Sequence, residues 1–302
     1  MKVYNQQTTG AEQAHFQFYD FDRFSGVGNF TFIDRPQVFT KIPRQVFNDK
    51  LVYLELEEPN RFFVDIPWFN HFGYDQFFSK VFSICPYTTE WLNKLDGGNR
   101  ESVFIPIKWQ PYDCMMEESE SFDVIYCGHI YPGPIEENVR ELEGLDYRVI
   151  SNTDHPMTTN RGVNHRSKLQ LISRSKISLI SNLLYPTIDH IKQVKKINRW
   201  QENEAFSRLD DGLVPQIKGR VFEAAMCQSL ILCQKDPWNV IERFFIPDID
   251  FVYYEKGRAK EKIREILGNY QDYEKMVLSA YKKVKDLYTT KSFYNRFLWD
   301  LK

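Results

Sequence analysis

The sequence predicts an α/β protein of two domains with a cleft between them. Three observations carry this. Short apolar runs of strand length alternate with helical segments along most of the 302 residues, the pattern of parallel strands joined by helices. A polar, acidic stretch, Trp109 to Asp113 and then Glu117 to Ser121, interrupts that pattern and marks a boundary near residue 113. Beyond it, an apolar run Phe122–Cys127 is followed by Gly128, a loop and a helix. Strand, glycine, loop and helix make the first unit of a Rossmann-like domain, whose glycine lets a backbone amide approach a phosphate. One continuous sheet with helical additions is the competing architecture.

In the first domain, residues 1–113, the opening fifty are the least legible. A strand Phe30–Ile33 stops at Asp34–Arg35–Pro36. Leu51–Leu56 is a clearer strand, with Glu57–Glu58–Pro59–Asn60 at its carboxyl end. Asp65 to Phe78 is aromatic and partly helical, broken by Pro67 and Gly73. Lys80–Cys85 reads as a strand, Thr88 or Thr89 as the cap of a helix through Leu95, and Val103–Ile107 as a further strand.

The second domain, residues 114–288, continues with a helix from Ile135 to about Glu143 and a strand Tyr147–Ile150. A polar loop, 152–166, holds Asp154, His155, Arg161, His165 and Arg166. The strand Ser175–Ser181 and a partly helical segment, 188–211, follow. Gly219–Gln228 can form a short helix, and Ser229–Cys233 is continuously apolar, as in a parallel strand covered on both faces. Asp236–Pro237 supplies an N-cap and a proline for a helix to about Phe245. Then come a strand Phe251–Tyr254 and helices Ala259–Leu267 and Tyr270–Leu287. Residues 289–302 carry a final helix, Ser292 to Leu301.

Composition narrows the function. A formal net charge of −2 gives no electrostatic footprint for nucleic acid or an anionic membrane. The five cysteines are scattered and odd in number, which points to a reducing compartment without a disulfide framework. No apolar run approaches membrane-spanning length and the amino terminus has no signal-like core, so a soluble cytoplasmic protein is expected. The six histidines form no His-x-x-x-His pair and no Cys-x-x-Cys exists, so no metal site is expected. Asp20–Phe21–Asp22 resembles an Asp-x-Asp metal motif but comes too early in the chain to follow a nucleotide-binding fold, and Asp248–Ile249–Asp250 precedes its strand and marks a turn.

The chemistry concentrates between Val214 and Glu255. On the helix starting at Gly219, Arg220, Glu223 and Cys227 share one face by spacings of three and four. An arginine there can hold a diphosphate, and a carboxylate can accept from both hydroxyls of a ribose. The same spacing equally suits an ion pair on a solvated face. In the first domain Glu57, Glu58, Asp65 and His71 follow a strand, on the side that would face a cleft. Any of them could take a proton from an acceptor hydroxyl, or be an ordinary solvated loop residue.

KGRVFEAAMCQSLILCQ, WNVIERFF and DFVYYE, in that order, resemble the donor-binding segment of GT-B type glycosyltransferases, and among them the spore-maturation-like (group 1-like) family. That family's Lys/Arg–x–Arg–x–Phe–Glu helix start falls on Lys218, Arg220, Phe222 and Glu223. The sequence departs from the family in two places: Gln228–Ser229 stands where a glycine is usual, and Pro215 where many retaining members carry a second glutamate. The resemblance implies two Rossmann-like domains with C-terminal helices, the last crossing back to the first domain. It implies transfer of a sugar from a nucleotide-activated donor, a UDP- or GDP-sugar, to a hydroxyl of a glycan or other acceptor, with no cofactor or metal required. Gly128 and His129 join the four donor-binding residues. A sugar-nucleotide epimerase or hydrolase of the same fold, and a non-catalytic nucleotide-binding scaffold, are the alternatives.

Overall fold

The computed structural model describes residues 2–4, 30–33, 50–63, 78–107 and 121–299. The strands are β1 (Lys2–Tyr4), β2 (Phe30–Ile33), β3 (Lys50–Glu55), β4 (Lys80–Ser83), β5 (Arg100–Ser102), β6 (Phe122–Cys127), β7 (Tyr147–Ile150), β8 (Ser175–Ile180), β9 (Leu183–Leu184), β10 (Val214–Pro215), β11 (Leu230–Gln234) and β12 (Val252–Tyr254). The α-helices are α1 (Pro86–Asp96), α2 (Pro134–Arg140), α3 (His165–Ser173), α4 (Ile188–Val194), α5 (Gly219–Met226), α6 (Ala259–Gly268), α7 (Glu274–Leu287) and α8 (Thr290–Phe293). The chain divides into two compact units. The first comprises Met1–Trp109, Leu183–Gln216 and Tyr288–Lys302; the second comprises Gln110–Asn182 and Ile217–Leu287.

The first unit holds a sheet in the order β1-β2-β3-β4-β5, every pairing parallel. Leu51, Val52 and Leu54 of β3 and Val81 and Phe82 of β4 are buried, the apolar load expected of central parallel strands. The segment 183–216 packs here through Val194, Phe206, Leu209 and Val214, against Phe62, Phe63, Trp91 and Leu92. Its β9 and β10 pair antiparallel, Val214 opposite Leu184. At the chain end, Phe293 lies 5.2 Å from Phe82 and 5.8 Å from Phe104, ring to ring.

Several boundaries in this unit differ from the pattern-based expectation. The helix α1 begins at Pro86, before the expected threonine cap, because proline suits the first turn; Thr89 lies inside and its hydroxyl donates to Cys85 O at 3.0 Å. The expected strand at 103–107 is displaced to β5. Asn93 clamps Arg100 by accepting from its N–H and donating to its carbonyl, and Val103 N to Ser83 O is the last ladder bond. The final helix is a short α8, capped by Thr289, that loosens into a π-turn over Tyr294–Leu298.

The second unit is a sheet of order β12-β11-β8-β6-β7, also wholly parallel. The chain leaves β6 for β7 on one side and returns past β6 to β8 on the other. That reversal opens a crevice outside the carboxyl ends of β6 and β8, where doubly wound sheets bind ligands. Helices α2 and α6, with the turn after α2, cover one face through Val139, Leu142, Ile263 and Ile266. Leu169 and Ile172 of α3, with Cys227, pack on the other against Phe122 and Ile125. The long helix expected after Asp236 is only a 3-10 turn, Val240–Arg243: Asp236 accepts from Trp238 N and Val240 N, and Asn239 then takes a positive φ of 50°. The cysteines of the described residues, Cys85, Cys127, Cys227 and Cys233, are buried and form no disulfide.

The glycine missing after α5 has a structural counterpart. Gln228 N donates to Ala225 O and Ser229 N to Ala224 O, the paired bonds of a Schellman cap, with Gln228 left-handed at φ 57°. A side chain there costs about 1–2 kcal/mol, of which glycine's larger unfolded-state entropy returns about 0.5–1 kcal/mol. Gln228→Gly is therefore expected to raise stability by roughly 0.5–1 kcal/mol, read as a higher urea midpoint at unchanged slope.

Candidate functional site

The carboxyl end of β6 carries the first half of the site. Gly128, at φ 152°, follows Cys127, and its N–H donates to Ile150 O at 2.9 Å. The Tyr126 hydroxyl donates to His129 O at 3.0 Å, and Ile130 N to the Thr153 hydroxyl at 3.0 Å. Thr153 Oγ1 also stands 3.5 Å from His129 Nδ1. The loop after β6 is thus laced to the loop after β7, leaving the His129 side chain exposed.

The second half is the start of α5. Lys218 is its N-cap residue, with no side-chain cap of its own, and Lys218 N donates to Asn182 Oδ1 at 2.9 Å. Buried Asn182 thereby fixes where the helix starts, and the positive end of a helix favours an anion. Arg220 reaches from the first turn across Gly128. A β-carbon on Gly128 would lie 2.3 Å from Arg220 Nη1, 2.6 Å from Nη2 and 2.8 Å from Cζ. The guanidinium also stands 5.7 Å from the centre of the Tyr126 ring. Burial raises the Tyr126 phenol and Arg220 opposes it.

Glu223 lies one turn further, and it is not an ion-pair partner of Arg220. Its Oε1 accepts from Lys168 Nζ at 2.6 Å, and His165 Nδ1 lies 3.8 Å from the same oxygen. Burial pushes this carboxyl up, but Lys168 first, then His165 and Arg220, outweigh it and hold the group below its ordinary range. The simple surface ion pair between Arg220 and Glu223 is therefore not what the chain forms. Among the described residues no carboxylate forms an ion pair with Arg220, whose guanidinium bears on the Tyr126 ring and hydroxyl.

The structure thus brings Gly128, His129, Lys218, Arg220 and Glu223 to one end of the second unit. Phe222 is apart from them. Its side chain is fully buried between Phe244 and Phe245, at ring distances of 5.5 and 5.7 Å, and it anchors α5 to the core. Lys168 and His165 are additions: the sequence places His165 in a polar loop, whereas it is the first residue of α3, which Asn164 caps by accepting from Ser167 N. Cys127 sits beneath the site with its thiol pushed up by burial to about 12, which removes it as a nucleophile.

In the first unit, Glu58 is buried and accepts from the Ser83 hydroxyl. Glu57 is half-buried; its N–H donates to Glu55 Oε1 at 2.7 Å and its carbonyl accepts from Gln216 Nε2 at 2.9 Å. Asp65 and His71 lie outside the described residues, as do Asp20 and Asp22. A group that sequence reading passes over is Glu55, which accepts from Arg61 Nε and Nη2, each at 3.2 Å, and from the Tyr53 hydroxyl. Among the described residues no group of three or more His, Cys, Asp or Glu side chains is placed to hold a metal ion, and no helix is long and apolar enough to cross a membrane.

A family profile described as glycosyl transferase-like matches residues 135–298, more than half of the chain and including α3 and all of α5. The chain belongs to this glycosyl transferase-like family. Its enzyme class is accordingly that of the glycosyltransferases. Solved structures place its fold with the two-Rossmann-domain, GT-B type. Anabaena HepE in complex with UDP and glucose superposes with a TM-score of 0.56 at 10% identity, over 90% of this chain and 77% of HepE. A variant of S. aureus TarM, in complex with fondaparinux, alpha-GlcNAc-glycerol and UDP, gives 0.57 at 11% identity, over 92% of this chain but 56% of TarM. Sucrose-phosphate synthase from Thermosynechococcus elongatus gives 0.54 at 8% identity, over 87% of this chain and 70% of that one. No curated protein matches the chain in sequence.

Proposed function

We propose that this glycosyltransferase takes its sugar from a nucleoside diphosphate donor held in the second unit and passes it to a hydroxyl of a glycan or other acceptor. The observation that carries the reading is the Arg220 guanidinium laid over Gly128 beside the uncapped start of α5. A diphosphate at that point meets helix N–H groups, a planar cation and a glycine that admits close approach. As the bond to the sugar breaks, negative charge grows on the departing diphosphate, and Lys218, Arg220 and the amides stabilise it in place, without a metal ion. Glu223 takes the ribose. UDP in the HepE and TarM structures favours a UDP-sugar over a GDP-sugar.

Of residues 114–288, the stretches 114–182 and 217–287 then act on the donor, while 1–113, joined by 183–216, act on the acceptor, with 289–302 as a closing helix, in the cytoplasm. Of the first-domain candidates Glu57 is better placed than Glu58 to serve as base, because Glu58 is buried against Ser83 while Glu57 is half-buried.

The test is a thermal-shift panel of UDP, GDP, ADP and CMP with their sugars, followed by product analysis. A ligand at 100 times its dissociation constant adds about 2.7 kcal/mol, so one nucleoside diphosphate should raise the melting temperature and the rest should not. Transfer to an added hydroxyl acceptor is the expected product. Free sugar or an epimerised sugar nucleotide would indicate the hydrolase or epimerase, and no shift with any nucleotide the scaffold.

A further inference from the structure

Glu223 offers only one of its two carboxylate oxygens to a ligand. Oε1 is taken by Lys168 Nζ at 2.6 Å, with His165 Nδ1 at 3.8 Å, while Oε2 receives neither contact. The side chain is 15% exposed, enough for a ligand to reach it but not enough for water to replace a lost partner. Lys168 belongs to a different helix, and that helix is held firmly. Asn164 caps it through Ser167 N at 2.9 Å, and the neighbouring Leu169 is buried in one cluster with Cys227, the residue that ends α5. The lysine is therefore a fixed post against which the glutamate leans.

From this arrangement we infer that Lys168 is a positioning residue for ribose recognition: it holds Glu223 ionised and turned, so that the free oxygen accepts from the ribose hydroxyls of the donor. The inference rests on the donor-site reading above and adds a residue to it. Two physical consequences follow. Without Lys168 the burial of Glu223 is uncompensated, and the carboxyl takes up a proton or rotates toward water. In either case it ceases to be a fixed acceptor, and the site loses its means of telling a ribonucleotide from a deoxyribonucleotide. A protein group built to bond a hydroxyl rejects the analogue that lacks it, because the group is then left unpaired.

Calorimetric titration of UDP and 2′-deoxy-UDP, and of GDP and 2′-deoxy-GDP, tests this on the full chain. Wild type should favour the ribonucleotide by about tenfold, the worth of one hydrogen bond to a charged group. In Lys168→Met and Lys168→Gln that ratio should fall toward one, as in Glu223→Gln, with binding of the deoxy ligand little changed. Lys168→Arg, which restores a donor, should recover most of the ratio. Lys176→Met removes a lysine whose partner is Asp123, 3.1 Å away, and should leave the ratio alone. A merely structural Lys168 would lower both affinities together, or neither. A Lys168→Met protein that binds nucleotide and keeps the wild-type ratio overturns the inference and leaves the donor site standing. A wild type that binds none of the four ligands overturns the donor site itself, and this inference with it.

Discussion

Arg61→Met lowers the stability of the protein by about 3–5 kcal/mol, the typical cost of stranding one member of a buried ion pair. Glu55 is 1% exposed and Arg61 5%, so water cannot take the place of the lost guanidinium. Two of the bonds to Glu55 come from Arg61; the others come from the Tyr53 hydroxyl and Glu57 N. Burial pushes the Glu55 carboxyl up, but Arg61, Tyr53 and Glu57 N outweigh it and hold it below its ordinary value of 4.5. Burial opposes the charge on Arg61 as well, and Glu55 more than compensates, so the arginine's affinity for its proton rises. Since the folded carboxyl titrates below its ordinary value, the pair's contribution is complete above about pH 4.5 and is lost as pH falls through the folded value. In Arg61→Met the sign reverses: burial, now opposed only by the Tyr53 and Glu57 N bonds, raises Glu55, so the variant gains relative stability on acidification.

Urea unfolding of wild type and variant between pH 4 and 7 measures both effects. Glu55→Gln/Arg61→Met, which keeps an acceptor for Glu57 N and turns its amide NH2 toward a Tyr53 hydroxyl that can accept, should recover part of the loss, because no buried charge remains. An Arg61→Met protein within about 1 kcal/mol of wild type would mean that the pair behaves as a surface pair. Glu57 and Glu58, the candidate bases, follow Glu55 in the turn that Arg61 pins.

Much of the second unit is legible in the sequence because its signals are local. Each parallel strand there is a short apolar run, Phe122–Cys127 or Leu230–Cys233, and each is closed by glycine, polar loop or capped helix. Arg220 and Glu223 are legible as a face for the same reason, as helical spacing brings them together within one turn. What they touch is not legible. Glu223 finds Lys168 across 55 positions of chain, and Arg220 finds Gly128 across the sheet edge. No local pattern distinguishes such pairs from an Arg220–Glu223 pair on an open face. Phe222 misled for the opposite reason: its place in a conspicuous string suggests the ligand, while its side chain is spent on the core with Phe244 and Phe245. Glu55 escapes notice because a carboxylate at the end of an apolar strand looks like a boundary residue until Arg61 folds back over it. The helix foreseen after Asp236 fails on a single residue, Asn239, whose left-handed backbone turns the chain after the cap is made.

Gly128→Ala and Arg220→Ala should each weaken binding of the donor diphosphate by on the order of tenfold to a hundredfold, and together by little more than Arg220→Ala alone. The arginine's share follows from a charge-assisted contact worth roughly 1.5–3 kcal/mol. Arg220→Lys restores it only in part, since an ammonium cannot make the bidentate fork. The glycine's share is steric. The added methyl would need the space now filled by Nη1, Nη2 and Cζ of Arg220, all within 2.8 Å. Those atoms are the far end of a flexible side chain, so the guanidinium swings away and the fold stands. Some strain remains at φ 152°, a backbone state that alanine adopts reluctantly. The loss of affinity therefore arises because Arg220 has been displaced, and in an Arg220→Ala background there is nothing left to displace. Calorimetric titration of UDP against wild type, both single variants and the double variant completes the cycle. Additive losses would mean that Gly128 admits the phosphate by itself, independently of Arg220. Unchanged affinity in Arg220→Ala would leave the guanidinium as packing on Tyr126 and remove it from the site.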